Sequence, residues 1–271
     1  MMMERPKSEF EKKLDQELIE KTSGPSRQAV EYLLRDKALE NLMGFCNVVS
    51  IERMGFNDHG RVHAKIATLN ALKLIGLLHD GGVEPNLVKE GVGNFEDARL
   101  VVAVAGFLHD LGMSVGRQEH EMNSVAVGDP FILGALRHVY QDESLIFILR
   151  SYIFECIMGH MGHLKVSSIE SGIMLVADGC DMELGRARVV SKRRREPHVG
   201  DIHARSAMSV TSVDLVKGEK KPLQIFIQMK DATGIFQVEE VLMDKIAHSA
   251  IRPYIELSVQ IGNEPKMYYL K

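Results

Sequence analysis

Ala105-Gly106-Phe107-Leu108-His109-Asp110-Leu111-Gly112-Met113 closes an apolar run that begins at Leu100. A helix of that composition is buried, and its last groups, an imidazole and a carboxylate, must both find partners there. A metal ion satisfies the two together. Working outward from this pair, the question is whether other histidines and aspartates can join it.

The flanking sequence is mostly helical in pattern. Residues 1–25 read as a charged, frayed helical arm ending in the breaker Ser23-Gly24-Pro25. From Ser26, read as an N-cap, Val30, Leu33, Leu34, Ala38 and Leu42 recur at helical spacing. Residues 45–54 link to Asn57-Asp58-His59-Gly60, where Asn57 or Asp58 is suited to cap a helix carrying Val62, Ile66 and Leu69. Asn94 caps the buried helix, Asp129-Pro130 reads as a helix start, and residues 142–159 form another apolar helix. Ser167-Ser168-Ile169-Glu170 reads as a capping box opening the helix that carries Asp178. A second His-Asp pair, His79-Asp80, runs into Gly81-Gly82 and Pro85 and reads as an ordinary helix end.

Beyond the basic stretch 192–195 the period changes from about 3.6 to 2. Leu223, Ile225, Ile227 and Met229 alternate with Gln224, Phe226 and Gln228, as do Ile255, Leu257, Val259 and Ile261 with their polar neighbours. Residues 209–216 form a weaker strand, and 235–248 a helix. The expected fold is α+β: a helical domain over 26–190, then a small β-β-α-β unit over 200–271. That unit, with an open sheet edge, suits homo-oligomerisation or docking. His138, His203 and His248 read as structural or surface residues.

Composition narrows the classes. Of 271 residues 45% are hydrophobic and 26% charged, with a net charge of −4, so the chain can bury a core and carries no global attraction for nucleic acid. Without interleaved aromatics, the basic stretch reads as a solvated linker rather than a nucleic-acid site. Three scattered cysteines and no apolar leader point to a reducing cytoplasm. The longest apolar run falls far short of the ~20 residues a membrane span needs.

The helical part concentrates imidazole and carboxylate: His59, His63, His109, His120, His160 and His163, with Asp110 and Asp178. His59 and His63 share a helix face, as do His160 and His163. A single histidine on an apolar helix is usually a hydrogen-bonded core residue. Several such helices together point to a shared ion, because a core burying all of these groups without one would need many partners.

The order His63, His109-Asp110, Asp178 on successive helices resembles the HD-domain superfamily of metal-dependent phosphohydrolases. AGFLHDLGM (105–113) is similar to the family's apolar helix ending in His-Asp-Ile/Leu-Gly, and Leu175-Val176-Ala177-Asp178 to its closing helix. The resemblance covers roughly residues 40–190. NDHGRVH (57–63) is similar to a subset in which Asp-His-Gly-x-x-His supplies the first ligand: His63, with small and apolar residues after it, or alternatively His59. The resemblance implies a helical metal-binding fold with His63, His109, Asp110 and Asp178 as ligands. By analogy with two-metal members, it places His120 and His160 at a second ion, with His163 as the alternative to His160. His109 and Asp110 would form the catalytic centre, with Asp58 orienting a ligand or taking a proton. Asp181 could replace Asp178. Arg117, Arg186 and Arg188 would hold phosphate oxygens.

Such a ligand set suits one or two ions of Mn, Fe, Ni, Co or Zn. The expected function is hydrolysis of a small phosphorylated, nucleotide-like substrate by a metal-activated water. The alternatives are a di-iron oxygenase on the same fold, or a non-catalytic metal- or nucleotide-binding regulatory protein.

Overall fold

In the computed structural model, which describes residues 6–183 and 206–271, nine helices precede a small mixed sheet among the described residues. The helices are α1 (Glu9–Glu20), α2 (Gly24–Arg35), α3 (Lys37–Asn47), α4 (Arg61–Asp80), α5 (Asn86–Lys89), α6 (Phe95–Leu108), α7 (His120–Val139), α8 (Glu143–Gly159) and α9 (Ile169–Gly179). The sheet strands are β1 (Val210–Val216), β2 (Leu223–Met229), β3 (Ile255–Ile261) and β4 (Met267–Leu270). Helix α10, residues 235–248, lies between β2 and β3 and contains a π-helical turn at Val238–Leu242. The fold is thus α+β. No described helix is long and apolar enough to cross a membrane.

Helix α6 is the axis of the bundle. Asn94 accepts hydrogen bonds from the Glu96 and Asp97 amides, and Asp97 accepts one from the Asn94 amide, so the helix starts with its first donors satisfied. Every residue from Leu100 to Leu108 is buried, because α2, α4, α8 and α9 surround it. Such a helix needs no polar face.

Small residues set the distance between α6 and α4. A Cβ on Gly106 would lie 2.8 Å from Thr68 Cα, and the facing residues Ala64, Ala67 and Ala71 are buried. This close approach brings the first turn of α4 alongside the last turn of α6. After α6 the chain makes a 3₁₀ turn at Leu111–Ser114. Gly112 lies so close to α7 that a Cβ there would sit 2.0 Å from the His120 carbonyl oxygen and 2.5 Å from the Ser124 nitrogen.

The sheet order is β1-β2-β3-β4, antiparallel, parallel, antiparallel. The parallel β2–β3 pair is crossed over by α10, which packs on α9. The expected β-β-α-β order is present, and β4 extends it by four residues too exposed and too short to show a burial period.

Several local expectations change. The arm is helical over residues 9–20 as expected but docked rather than frayed: Ser8 caps it, and Leu14 and Leu18 are buried against α4. The helix expected from Ser26 breaks at Asp36, whose carboxylate caps α3 by accepting from the Leu39 amide. Residues 48–53 continue α3 as a π-turn rather than a linker. Asp129-Pro130 lies inside α7: Asp129 forms a two-pronged pair with Arg150 of α8 instead of capping. Ser168 caps α9, while Glu170 accepts from the Asn86 and Leu87 amides rather than closing a box. His79 ends α4, exposed and stacked on Phe95, and all three cysteines are free and buried.

Two glycine substitutions separate packing from propensity. Gly112→Ala meets backbone that cannot give way and should cost about 3 kcal/mol, at the upper end of overpacking penalties. Gly76→Ala, in α4 with nothing within 4 Å of the new Cβ, should stabilise by about 0.5–1 kcal/mol. Urea unfolding midpoints of the two variants should move in opposite directions.

Candidate metal centre

Six candidate ligands reach one point because each sits near a helix end. His63 is in the first turn of α4, His109 is the C-cap of α6, and Asp110 follows at once. His120 opens α7 directly after Glu119, whose φ of 52° lies in the left-handed region and turns the chain inward. His160 is the C-cap of α8, and Asp178 lies in the last turn of α9. All six are buried.

The hydrogen bonds fix which imidazole nitrogen carries the proton. His109 Nδ1 donates to the Gly106 carbonyl (2.9 Å), His120 Nδ1 to the Arg117 carbonyl (3.0 Å) and His160 Nδ1 to the Ile157 carbonyl (2.6 Å). His63 Nδ1 donates to the Asp181 carboxylate at 2.6 Å. In neutral rings the Nε2 atoms therefore carry lone pairs, and all of them point inward. His63 Nε2 lies 3.0 Å from His109 Nε2, and His120 Nε2 lies 3.1 Å from His160 Nε2.

Asp110 stands between these pairs. Its Oδ2 lies 3.1 Å from His63 Nε2 and 3.4 Å from His109 Nε2; its Oδ1 lies 3.3 and 3.5 Å from the Nε2 atoms of His120 and His160. Asp178 Oδ1 joins the first pair, 3.1 Å from His63 Nε2. Asp110 Oδ2 is buried with no hydrogen-bond donor among the described residues. Acceptors packed this closely repel unless a cation lies among them. His63, His109 and Asp110 form one group that could hold a metal ion; His109, His160 and Asp178 form another; Asp110, His120 and His160 form a third.

Burial and neighbouring groups act on the two shifted residues of the cluster in opposite senses. Burial pushes the His160 imidazole down to about 4, despite the pull of Asp110, so the ring is neutral at physiological pH. Burial also opposes ionisation of Asp110, but the surrounding His109, His59, His120 and His160 outweigh it and hold the carboxyl well below the usual range.

The remaining sequence candidates lie around this cluster. His59 stands at the wall, its Nδ1 donating to the Asn57 carbonyl (2.8 Å) and its Nε2 3.4 Å from an Arg117 nitrogen. Asp58 accepts from Asn47 Nδ2 (2.6 Å) and the Gly60 amide (2.9 Å), which fixes its own loop. Gly60 is the N-cap of α4, where Asn57 or Asp58 was expected. His163 is exposed at the mouth, one turn outside the cluster. Asp181 contacts His63 from behind and so fixes its ring; it is not in the ligand groups. Arg186 and Arg188, and the basic stretch 192–195, lie outside the described residues.

A cleft of about 610 Å³ opens over the cluster, lined by Phe56, His59, Arg117, His163, Glu240 and Lys245 among others. Two contributors escaped the sequence reading. Asn47 braces the loop before α4 by accepting from the His59 amide and donating to Asp58. Lys245 reaches in from α10, and one signal for it was legible: with Val238 and Leu242 it falls on the helix's apolar stripe.

The chain is therefore an α+β protein with a buried histidine–aspartate centre that could hold a metal ion. No family model matches it, and no solved structure matches it. It is 31% identical over 255 residues to the uncharacterized protein MJ1020 of Methanocaldococcus jannaschii, covering 94% of this chain and 96% of that protein. The chain belongs to the same family as that archaeal protein.

Asp110→Ala should abolish tight metal retention, because this carboxylate faces both histidine pairs. Asp181→Asn should leave every ligand in place and weaken affinity about 10- to 100-fold, the usual penalty for loosening a ligand's outer partner. Elemental analysis of purified variants, followed by competition with a chelating dye, measures both.

Proposed function

We propose that the protein is a metal-dependent phosphohydrolase of the HD type, acting on a small phosphate ester. The observation that carries this reading is the Asp110 carboxylate, shared between two pairs of imidazole Nε2 atoms at the floor of an accessible cleft. Such an arrangement suits two divalent transition ions held side by side. His63, His109 and Asp178 would hold one, His120 and His160 the other, and Asp110 would serve both. Ions bound there supply Lewis acidity toward a phosphoryl oxygen and make a bound water more acidic.

The chain's own groups complete the site. The Arg117 guanidinium, at the cleft wall above the Phe56 ring, is the side chain suited to a phosphoryl oxygen. Across the cleft, Glu240 and Asp244 project from α10, so the substrate's anionic end is directed toward Arg117 and away from that wall. Hydrolysis breaks the phosphorus–oxygen bond to the leaving group. A water oxygen is added to phosphorus, and the departing oxygen needs a proton. His59 Nε2, beside Arg117, is the group at the wall able to carry that proton. The nucleotide-like character of the substrate rests on the resemblance of the metal-binding sequence.

Protein loaded separately with Mn, Ni, Co or Mg and offered nucleotides and simple phosphomonoesters should release inorganic phosphate, and a chelator should stop it. Two equivalents of metal per chain are expected, falling to one in His120→Ala. His59→Ala should keep the metal and lose about 10²–10⁴-fold in kcat, whereas His63→Ala should lose metal and activity together. Oxygen consumption by the iron-loaded protein, with no phosphate release from any ester, would replace this reading with the oxygenase.

A further inference from the structure

Lysine is an unexpected residue to find buried on the apolar stripe of a helix. Lys245 of α10 is 8% exposed, and its ammonium makes two contacts of 2.6 Å, one to Asp178 Oδ2 and one to the His160 carbonyl oxygen. These acceptors belong to different helices, and each lies on a residue of the candidate metal centre. The path is cut to fit: at Gly179, beside Asp178, a Cβ would come within 2.9 Å of Lys245 Cδ. One turn away, Ser249 Oγ donates to the Gly172 carbonyl at 2.9 Å, fixing α10 along α9.

We infer that Lys245 is a positioning residue of the metal centre, and that the β-sheet unit docks to supply it. Asp178 divides its two oxygens: Oδ1 faces His63 Nε2, and Oδ2 is taken by the ammonium. Lys245 thus holds the carboxylate as a ligand through one oxygen and prevents it from turning. The second contact fixes the end of α8, where His160 leaves the helix. One ammonium, with three N–H donors and a full charge, sets the spacing of α8 and α9 on either side of the cleft. The sheet unit is accordingly part of the site, beyond any role in oligomerisation.

This inference rests on the metal centre but not on the reaction assigned to it, so its test reads metal binding. Full-length protein is stripped, titrated with Co(II), and followed by visible absorption and by competition with a chelating dye. Lys245→Met keeps the stem and removes the charge. It should weaken Co(II) binding about 10- to 100-fold and change the d–d spectrum as Asp178 turns. Leu242→Ala on the same helix is the control: it weakens docking of α10 through a fully buried contact and leaves the ammonium in place. With thermal stability lowered in both variants, Leu242→Ala should keep the parent spectrum and an affinity within about threefold of the parent. Aminoethylation of the Lys245→Cys variant, which restores an ammonium at nearly the original reach, should recover affinity and spectrum.

Three results overturn the inference: Lys245→Met that binds as tightly as the parent or more tightly with an unchanged spectrum, an equal loss in Leu242→Ala, or no recovery on aminoethylation. A parent that binds no Co(II) removes the metal centre itself, whereas a parent that binds Co(II) yet hydrolyses no phosphate ester removes only the proposed reaction.

Discussion

At the centre of this molecule four imidazole Nε2 atoms and two carboxylates are packed within hydrogen-bonding distance of one another. Three of the imidazoles spend their N–H on backbone carbonyls and the fourth on Asp181, so each presents its other nitrogen to the Asp110 carboxylate. Burying even one ionised carboxylate without compensation costs several kcal/mol, and crowding it with further acceptors adds repulsion. A divalent cation reverses the sign of every one of these contacts. The same acceptors could be quieted by protonating the rings, but burial drives His160 toward its neutral form. The arrangement is therefore one that could hold a positive ion.

The fold meets this demand by ending helices. Neighbouring residues within a helix point about 100° apart and cannot attend one ion together. His109 and Asp110 lie where α6 stops: His109 keeps helical dihedrals, whereas Asp110 has φ −104° and ψ 4°, and its carboxylate reaches the Nε2 atoms of both histidine pairs. Gly112 then lets the start of α7 approach closely, and the left-handed Glu119 directs His120 inward. Holding a non-glycine residue there costs of order 1 kcal/mol, a local strain of the kind that surrounding packing sustains at functional sites.

Much of this was legible in the chain, and the boundary follows physical range. Asn94 was readable as a cap, and the Ser167–Glu170 stretch as the start of α9 although Ser168 is the residue that caps it, because capping is settled within three residues. Strands β2 and β3 were readable because a two-residue period survives wherever one face is buried. The break at Asp36 was hidden by an apolar spacing that runs on through it, and Asp129-Pro130 misled because Arg150, twenty-one residues later, claims the carboxylate. At the centre, the His-Asp pair stood out by chemistry alone. The choice of His63 over His59 as a member of the cluster depended on where α4 begins, which Gly60 and Asn47 decide in three dimensions. The apolar stripe marks Lys245 as unusual, but its partner Asp178 lies 67 residues away, beyond the reach of any local pattern.

That separation also links the stability of the two units. A ligand that binds only the folded form stabilises it by RT ln(1 + [L]/Kd), wherever in the structure its contacts are made. Here the contacts extend from α4, α6, α7, α8 and α9 through one ammonium into α10, and α10 crosses between the two parallel strands that hold the sheet together. Without an ion, the Lys245–Asp178 pair would still join the two units, whereas Asp110 Oδ2 would stay buried with no donor among the described residues. An ion bound there would accordingly tie the bundle around α6, where His63, His109 and Asp110 meet, to α10 and the sheet.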